Sequence, residues 1–343
     1  MYVFGIEPQV YTWQQPIWQH LQQRYPQLGH ALLFYGKHGC GKRAFVEHFV
    51  AWLLCSNQQA DGACGQCQSC IWLKTDIHPH IMVIRPDEEE QKNKDKAKKP
   101  VIKIDKIREI LPFVQQTLEG WRVIIIEPAE ALNIAASNAL LKTLEEPSER
   151  VILILVAEHY LKLPATIRSR TQHFALDRVS VQQAQQFLQA HLQQQNVQLS
   201  EQHQQLLLNL AESMPLYATE LVNSEWLNYR AEFIQDWLKL SQQKHQPMFY
   251  AQKWQKIMSF NDFNSMFELL VCDIIRMKLQ QPIYNIDLDL TTLAQQCSLQ
   301  MLFHLYDETQ QNAINLGQNV QTQLMMEQYF IAMMNLSEIQ DLR

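Results

Sequence analysis

Nowhere in its 343 residues does this chain hold eighteen apolar residues in a row. It therefore lacks a segment able to cross a bilayer as a helix. Its first residues, Met1 to Pro8, carry no basic cluster and no cleavage signal, so a cytoplasmic location is expected. Positive charge is also short. Lys and Arg number 29 against 35 Asp and Glu, a net charge of −6. That balance argues against a chain that is basic throughout and coats nucleic acid by itself, while leaving room for a local basic patch or a basic partner. What is present suffices for ordinary cores: 47% of the residues are apolar, and the length suggests two or three domains. Seven cysteines in a reducing compartment point to metal binding or core thiols before disulfides.

The most informative absence lies inside a motif. Ala31 to Tyr35 is a short apolar run that reads as a buried strand, Gly36–Arg43 follows as GKHGCGKR, and Ala44 to Leu54 reads as a helix. Strand, glycine-rich turn, lysine and helix make a phosphate-binding loop. Gly36, Gly39 and Gly41 let backbone N–H groups crowd around phosphate oxygens, and Lys42 is placed to reach the terminal phosphates. The next residue should supply a hydroxyl to Mg²⁺, but Arg43 stands there; a guanidinium has no lone pair for a metal and is itself a cation. A second absence matches the first. Arg122 to Ile126 reads as a strand of bulky aliphatics ending at Glu127, where a pair of acids would act on metal and water. Pro128 takes the place of the second acid. The expectation is a nucleotide cradle that binds ATP or ADP weakly or not at all.

Between these elements lie Cys55, Cys64, Cys67 and Cys70, spaced C-x8-C-x2-C-x2-C. Four thiolates at this spacing fit a closed, tetrahedral structural Zn²⁺ site. Redox chemistry needs only two cysteines. His78 and His80 are nearby but read as turn residues, since four cysteines already fill the metal; Cys40, Cys272 and Cys297 read as isolated thiols. Between Ser56 and Ser69 there is one charge, Asp61, and no aromatic, so a nucleic-acid reader is not expected there.

Trp13 to Tyr25 and Ile104 to Val114 have helical periodicity, the latter with an apolar face of Ile104, Ile107, Leu111 and Val114. His80 to Ile84, Val151 to Val156 and Gln172 to Leu176 read as further strands, and Ser137 to Glu146 as a helix stopped by Pro147. The alternation over about 175 residues predicts a layered α/β domain with a mainly parallel sheet. Asp87 to Pro100 is acidic, then rich in lysine, and reads as a solvated loop. Beyond Leu176 the pattern is helical to the end, with glutamines on solvated faces and no catalytic constellation.

Taken in order, several of these stretches resemble the delta-prime subunit family of bacterial DNA polymerase III clamp loaders, an AAA+ family. They are His30 to Phe34 leading into the loop, the four-cysteine insertion, His78–Pro79, Asn138–Pro147 (NALLKTLEEP) and Leu163–Thr171 (LPATIRSRT). The resemblance runs from His30 to Phe174; the C-terminal half matches only in being helical and of suitable length. It implies an AAA+ module with its zinc insertion over 1–178, a small helical lid over 179–220, and a helical collar over 221–343. It implies a five-subunit ring with the gamma/tau ATPase and delta subunits, which opens a sliding clamp and places it on primed DNA. DNA-synthesis chemistry would belong to other subunits of the polymerase holoenzyme. It further implies that this chain hydrolyses nothing itself, and that Arg170, of the Ser169–Arg170 pair, reaches into the neighbouring ATPase site. Arg168, two residues away, would point elsewhere on an extended segment. The lid's nucleotide-sensing arginine would fall near Pro215, a third defect. Thr171 stands where the family usually has a thiol. The alternatives are an ATP-hydrolysing loader subunit, a free-standing ATPase or nucleotide kinase, and a zinc-dependent nucleic-acid-binding module. The first two need the groups that Arg43 and Pro128 replace.

Overall fold

The computed structural model describes residues 5–86, 101–115, 120–241, 246–315 and 321–334; the charged segment at 87–100 lies outside them. The chain divides into two compact units. The first comprises the described residues up to 191 together with 213–217, and the second 192–212 and the described residues from 218 onward.

The first unit is an α/β layer structure. Its strands are β1 (Ala31–Tyr35), β2 (Ile81–Ile84), β3 (Arg122–Ile126), β4 (Val151–Ala157) and β5 (Gln172–Ala175). They form one parallel sheet in the order β2-β3-β4-β1-β5. The middle strand β4 is apolar at every position and buried at every position, as a strand covered on both faces must be. Alternate side chains serve opposite faces. Leu33, Ile124, Ile126, Leu153 and Leu155 join one core, and Leu32, Phe34, Val123, Ile125, Ile152 and Ile154 the other.

Helices α1 (Gln15–Arg24), α2 (Lys42–Leu54) and α3 (Gln68–Lys74) come first in the chain. Trp18 and Leu21 of α1, and Phe45, Phe49 and Val50 of α2, fill the second core. The expected helix at 104–114 is two helices, α4 (Ile104–Arg108) and α5 (Ile110–Val114). Pro112 explains the break. Its ring and missing N–H are tolerated in the first turn of a helix but not further in, so a new helix starts at Ile110. The register shift turns Leu111 outward, at 58% exposure, and Ile110 and Phe113 inward. Helix α6 (Ile134–Glu145) is capped by the Asn133 side chain, which accepts from Ala136 N–H; Ala136, Leu140 and Leu144 pack it on the first core. Then come the short α7 (Ala165–Arg168), α8 (Val181–Gln194), α9 (Glu201–Leu210) and α10 (Pro215–Leu221).

The second unit is helical, with α11 (Arg230–Ser241), α12 (Pro247–Ile257), α13 (Phe260–Lys278), α14 (Thr291–Gln296), α15 (Leu299–Asn315) and α16 (Thr322–Met334) as its later elements. Phe233, Trp237, Trp254, Phe263, Phe267, Tyr329 and Phe330 are fully buried and in mutual edge or tilted contact. Its buried Asp273 and Arg230 are paired. Asp273 accepts from the N–H groups of Tyr284 and Asn285, and Arg230 forks onto Asp287. Burial pushes the thiols of Cys272 and Cys297 up, to about 12 and about 11, as befits isolated core thiols. Among the described residues no helix is long and apolar enough to cross a membrane.

Candidate functional site

All five strands run the same way, so the residues following β1, β2 and β3 gather at one edge of the sheet. After β1 comes the phosphate loop. Gly36 N–H donates to the Ala157 carbonyl at 3.2 Å, tying the start of the loop to the end of β4. Gly39 and Gly41 have φ of +78° and +82°, a region open to glycine and costly to other residues. Neighbours reinforce the requirement. A Cβ on Gly39 would lie 2.4 Å from the Tyr217 backbone nitrogen, and one on Gly41 2.5 Å from the Tyr11 ring. The loop is also laced to the rest of the first unit. Trp13 Nε1 and Gln14 Nε2 donate to the Cys40 carbonyl, Lys37 N–H donates to Asp177, and Leu216 N–H donates to the Gly39 carbonyl. Gly39→Ala is accordingly expected to destabilise the chain by about 1–3 kcal/mol from its backbone conformation alone, read as a lowered unfolding midpoint.

Lys42 opens α2, directly after its Gly41 N-cap. Cys40, inside the loop, is buried, and burial pushes its thiol up to about 11; it stays protonated and inert. Arg43 reaches across to Glu127, with its Nε on Glu127 Oε1, and Arg85 Nη2 lies 3.2 Å from Glu127 Oε2. Glu127 is only 4% exposed, so two guanidiniums neutralise a buried carboxylate and occupy both its oxygens. Pro128 follows it with no side-chain donor or acceptor. Glu130, the next acid, accepts from Glu158 and His159 N–H at 2.8 and 3.3 Å through Oε1, while its Oε2 is buried without a hydrogen-bond partner. Pro215 begins α10, whose Leu216 and Tyr217 sit on the loop at Gly39.

Arg170 lies just beyond α7. That segment is a helical turn and not extended, yet Arg168 and Arg170 still part company. Arg168 turns toward the Tyr160 ring, 5.9 Å from its centroid, while Arg170 is exposed and pairs with Glu145 at 2.7 Å. Ile167, fully buried just before them, anchors the turn, and Thr171 Oγ1 donates back to the Ile167 carbonyl. A hydroxyl in place of the family's thiol thus has a structural use.

The four cysteines converge. Their sulfurs all lie within 4.8 Å of one another, with Cys67–Cys70 at 3.5 Å, Cys55–Cys67 and Cys55–Cys70 at 3.8 Å, and Cys64–Cys70 at 4.0 Å. Zn–S bonds of about 2.3 Å in a tetrahedron place sulfurs about 3.8 Å apart, so the set fits a zinc ion. Backbone N–H groups of Asn57 and Cys64 point at Cys55 Sγ, and that of Cys67 at Cys64 Sγ, as thiolates require. Burial raises Cys67, but hydrogen bonds from the Cys70 and Ser56 backbone outweigh it and hold the thiol down to about 6. His78 stands apart from the cluster. It accepts from His80 N–H at Nδ1, so its Nε2 carries the proton and donates to Ser69 Oγ at 2.8 Å. It fastens α3 to the start of β2.

Sequence reasoning missed Arg85, Asp177, Tyr217 and Glu145. For Arg85 there was a usable signal. Ile84 of β2 pairs with Ile126 of β3, so the residues that follow them, Arg85 and Glu127, are neighbours once those strands are placed side by side.

A family model described as DNA polymerase III, delta subunit, matches residues 13–180. The delta-prime subunit of DNA polymerase III from Pseudomonas aeruginosa is 37% identical over 250 residues, which are 72% of this chain and 72% of that protein. The delta-prime subunit from Haemophilus influenzae is 31% identical over 66% of this chain and 65% of its own length. A solved DNA polymerase III gamma subunit-related protein of Thermotoga maritima aligns with 94% of this chain and 99% of its own, at 15% identity and a TM-score of 0.41; nothing further follows from a likeness that loose. The parallel sheet, flanking helices, cysteine cluster and helical second unit are those expected of an AAA+ clamp-loader chain. With more than two thirds of its length aligned at that level of identity to a delta-prime subunit, the chain belongs to the DNA polymerase III delta-prime subunit family.

Proposed function

We propose that this chain is a non-hydrolysing clamp-loader subunit that completes a neighbour's ATPase site with Arg170. The observation that carries the first half is the Arg43–Glu127–Arg85 cluster. Mg²⁺ at a nucleotide loop needs a hydroxyl and a carboxylate with lone pairs to spare. Here the hydroxyl is replaced by a cation, and that cation and a second one hold the carboxylate. Pro128 removes the acid that would polarise water, and Pro215 stands where the family's sensing arginine would be. Gly36, Gly39, Gly41 and Lys42 keep the cradle's shape, which supports weak ATP or ADP binding at most. The family membership supports partners of the gamma/tau and delta type in a five-subunit ring, loading of the sliding clamp onto primed DNA, and a cytoplasmic setting. It also supports the division into an AAA+ module at 1–178, a lid at 179–220 and a collar at 221–343.

The purified chain is expected to show no ATP turnover above background. Arg43→Thr is expected not to restore it, because Glu127 keeps Arg85 and Pro128 still cannot act on water. Steady-state phosphate release over a Mg²⁺ series checks both. Turnover by the unaltered chain at the rate of an ordinary loader ATPase would favour the second reading, an ATP-hydrolysing subunit with Lys42 in active use.

A further inference from the structure

Arg170 does not stand alone. Its Nη2 lies 2.7 Å from Glu145 Oε1, and its Nη1 donates to the Thr166 carbonyl at 3.1 Å with a longer contact to Ser169 Oγ at 3.4 Å. From this geometry, and on the reading of Arg170 as a finger in trans, we infer that Glu145 is the positioning residue of that finger.

Both partners are mounted on fixed backbone. Glu145 is the last residue of α6, next to the buried Leu144, and His30 Nε2 holds the Leu144 carbonyl at 3.0 Å. The end of α6 is thereby pinned to the start of β1. Arg170 follows the buried Ile167, to whose carbonyl its own N–H donates at 3.1 Å. The Glu145 carboxylate lies as an ion pair against one terminal nitrogen, and the Thr166 carbonyl takes a hydrogen from the other. A planar guanidinium engaged at both terminal nitrogens is restrained in its rotation. Its Nε–H has no acceptor among the described residues and remains for an incoming phosphate. The Arg170 side chain is 39% exposed and that of Glu145 51%, so the pair faces solvent and can be reached by a neighbour.

Exposure also limits the effect. A solvent-facing pair of this kind restrains by a factor of about two to five. A bound phosphoryl group must find the guanidinium already oriented, so that factor enters the hydrolysis rate rather than nucleotide affinity.

The test uses a reconstituted loader with its ATPase partners, clamp and primed DNA, followed by single-turnover hydrolysis of ATP. R170A should abolish one hydrolysis phase. E145A should slow that same phase about two- to fivefold, with its ATP concentration dependence unchanged. E145Q, which keeps an oxygen acceptor, should recover part of the loss. In the R170A background E145A should change nothing further, since Glu145 acts only through Arg170. Size-exclusion of the loader and thermal unfolding of the variants separate positioning from misassembly; a slowing that tracks lost assembly in E145Q as well would overturn the inference. A normal phase in E145A beside a lost phase in R170A would overturn it and leave the finger standing. A faster phase would mean that Glu145 parks the arginine, which also overturns it. If R170A itself removes no phase, the finger reading falls and this inference with it.

Discussion

Replacing Arg170 by alanine is expected to slow the chemical step at the neighbouring ATPase site by about 10³–10⁵, the range that arginine fingers supply in trans. The origin is electrostatic. Charge accumulates on the oxygens of the transferring phosphoryl group, and a guanidinium delivered by another chain meets it without reorganising solvent. On the proposed reading this chain borders a single ATPase site, so the loss should appear as a missing hydrolysis phase. Other sites continue, so the expected result is lost amplitude in a single-turnover experiment with assembly intact. Arg170→Lys should recover little, since an ammonium cannot present a planar fork. Arg168→Ala is the control. Its guanidinium leans on Tyr160, not on Glu145, and that variant should retain the phase. A loader that hydrolyses normally with R170A and fails with R168A would transfer the role to Arg168.

How much of this was legible beforehand depended on the range of the interaction. Local chemistry was plain in the sequence. Glycine spacing marked the loop, and the structure puts Gly39 and Gly41 at positive φ. Runs of bulky aliphatics marked β1, β3 and β4, because strands buried on both faces have no polar alternation to hide them. Cysteine spacing marked the metal cluster, because four thiols on one short segment have few other uses. What failed locally was the face of 104–114, where Pro112 restarts the helix and periodicity counted through it loses its phase.

Long-range pairing was illegible. Arg43 could be recognised as a missing metal ligand, but its positive role, clamping Glu127 84 residues away, needed the sheet order. The same holds for Glu145. Its place in NALLKTLEEP carries no hint of Arg170, because contact requires the end of α6 and the turn after α7 to meet in space. The defects of the nucleotide loop could thus be read one at a time. That they compensate one another, a cation for a cation at the same carboxylate, could not.

Removing zinc should have the largest effect on stability. In small peptides such a site contributes about 10–16 kcal/mol. Here the segment from Ser56 to Ser69 has few apolar side chains of its own, and its remaining ties are hydrogen bonds. Gln59 carbonyl accepts from Trp52 Nε1 at 3.1 Å, and Ala60 carbonyl from Trp18 Nε1 at 3.3 Å and Gln22 Nε2 at 2.8 Å. Without metal, four thiols packed within 4.8 Å lose the charge that holds them as thiolates, and the segment should peel from α1 and α2. The sheet keeps both its cores, so the unfolding is local first. Chelation is expected to increase amide exchange over 56–76 while β1, β3 and β4 stay protected, and to change the fluorescence of Trp18 and Trp52. The unfolding midpoint should also fall, by about 2–4 °C for each kcal/mol lost in a unit of this size. Metal analysis should give one zinc per chain, lost in Cys67→Ser and retained in Cys272→Ser, whose thiol is isolated in the helical unit. A chain that carries no zinc, or keeps its midpoint when zinc is stripped, would show that the thiols hold the segment without a metal. The consequence reaches past the module, since Cys55 ends the helix that Lys42 begins. About 20 Å of α2 separates the zinc site from the phosphate loop, and zinc would fix the far end of the helix on which that loop is mounted.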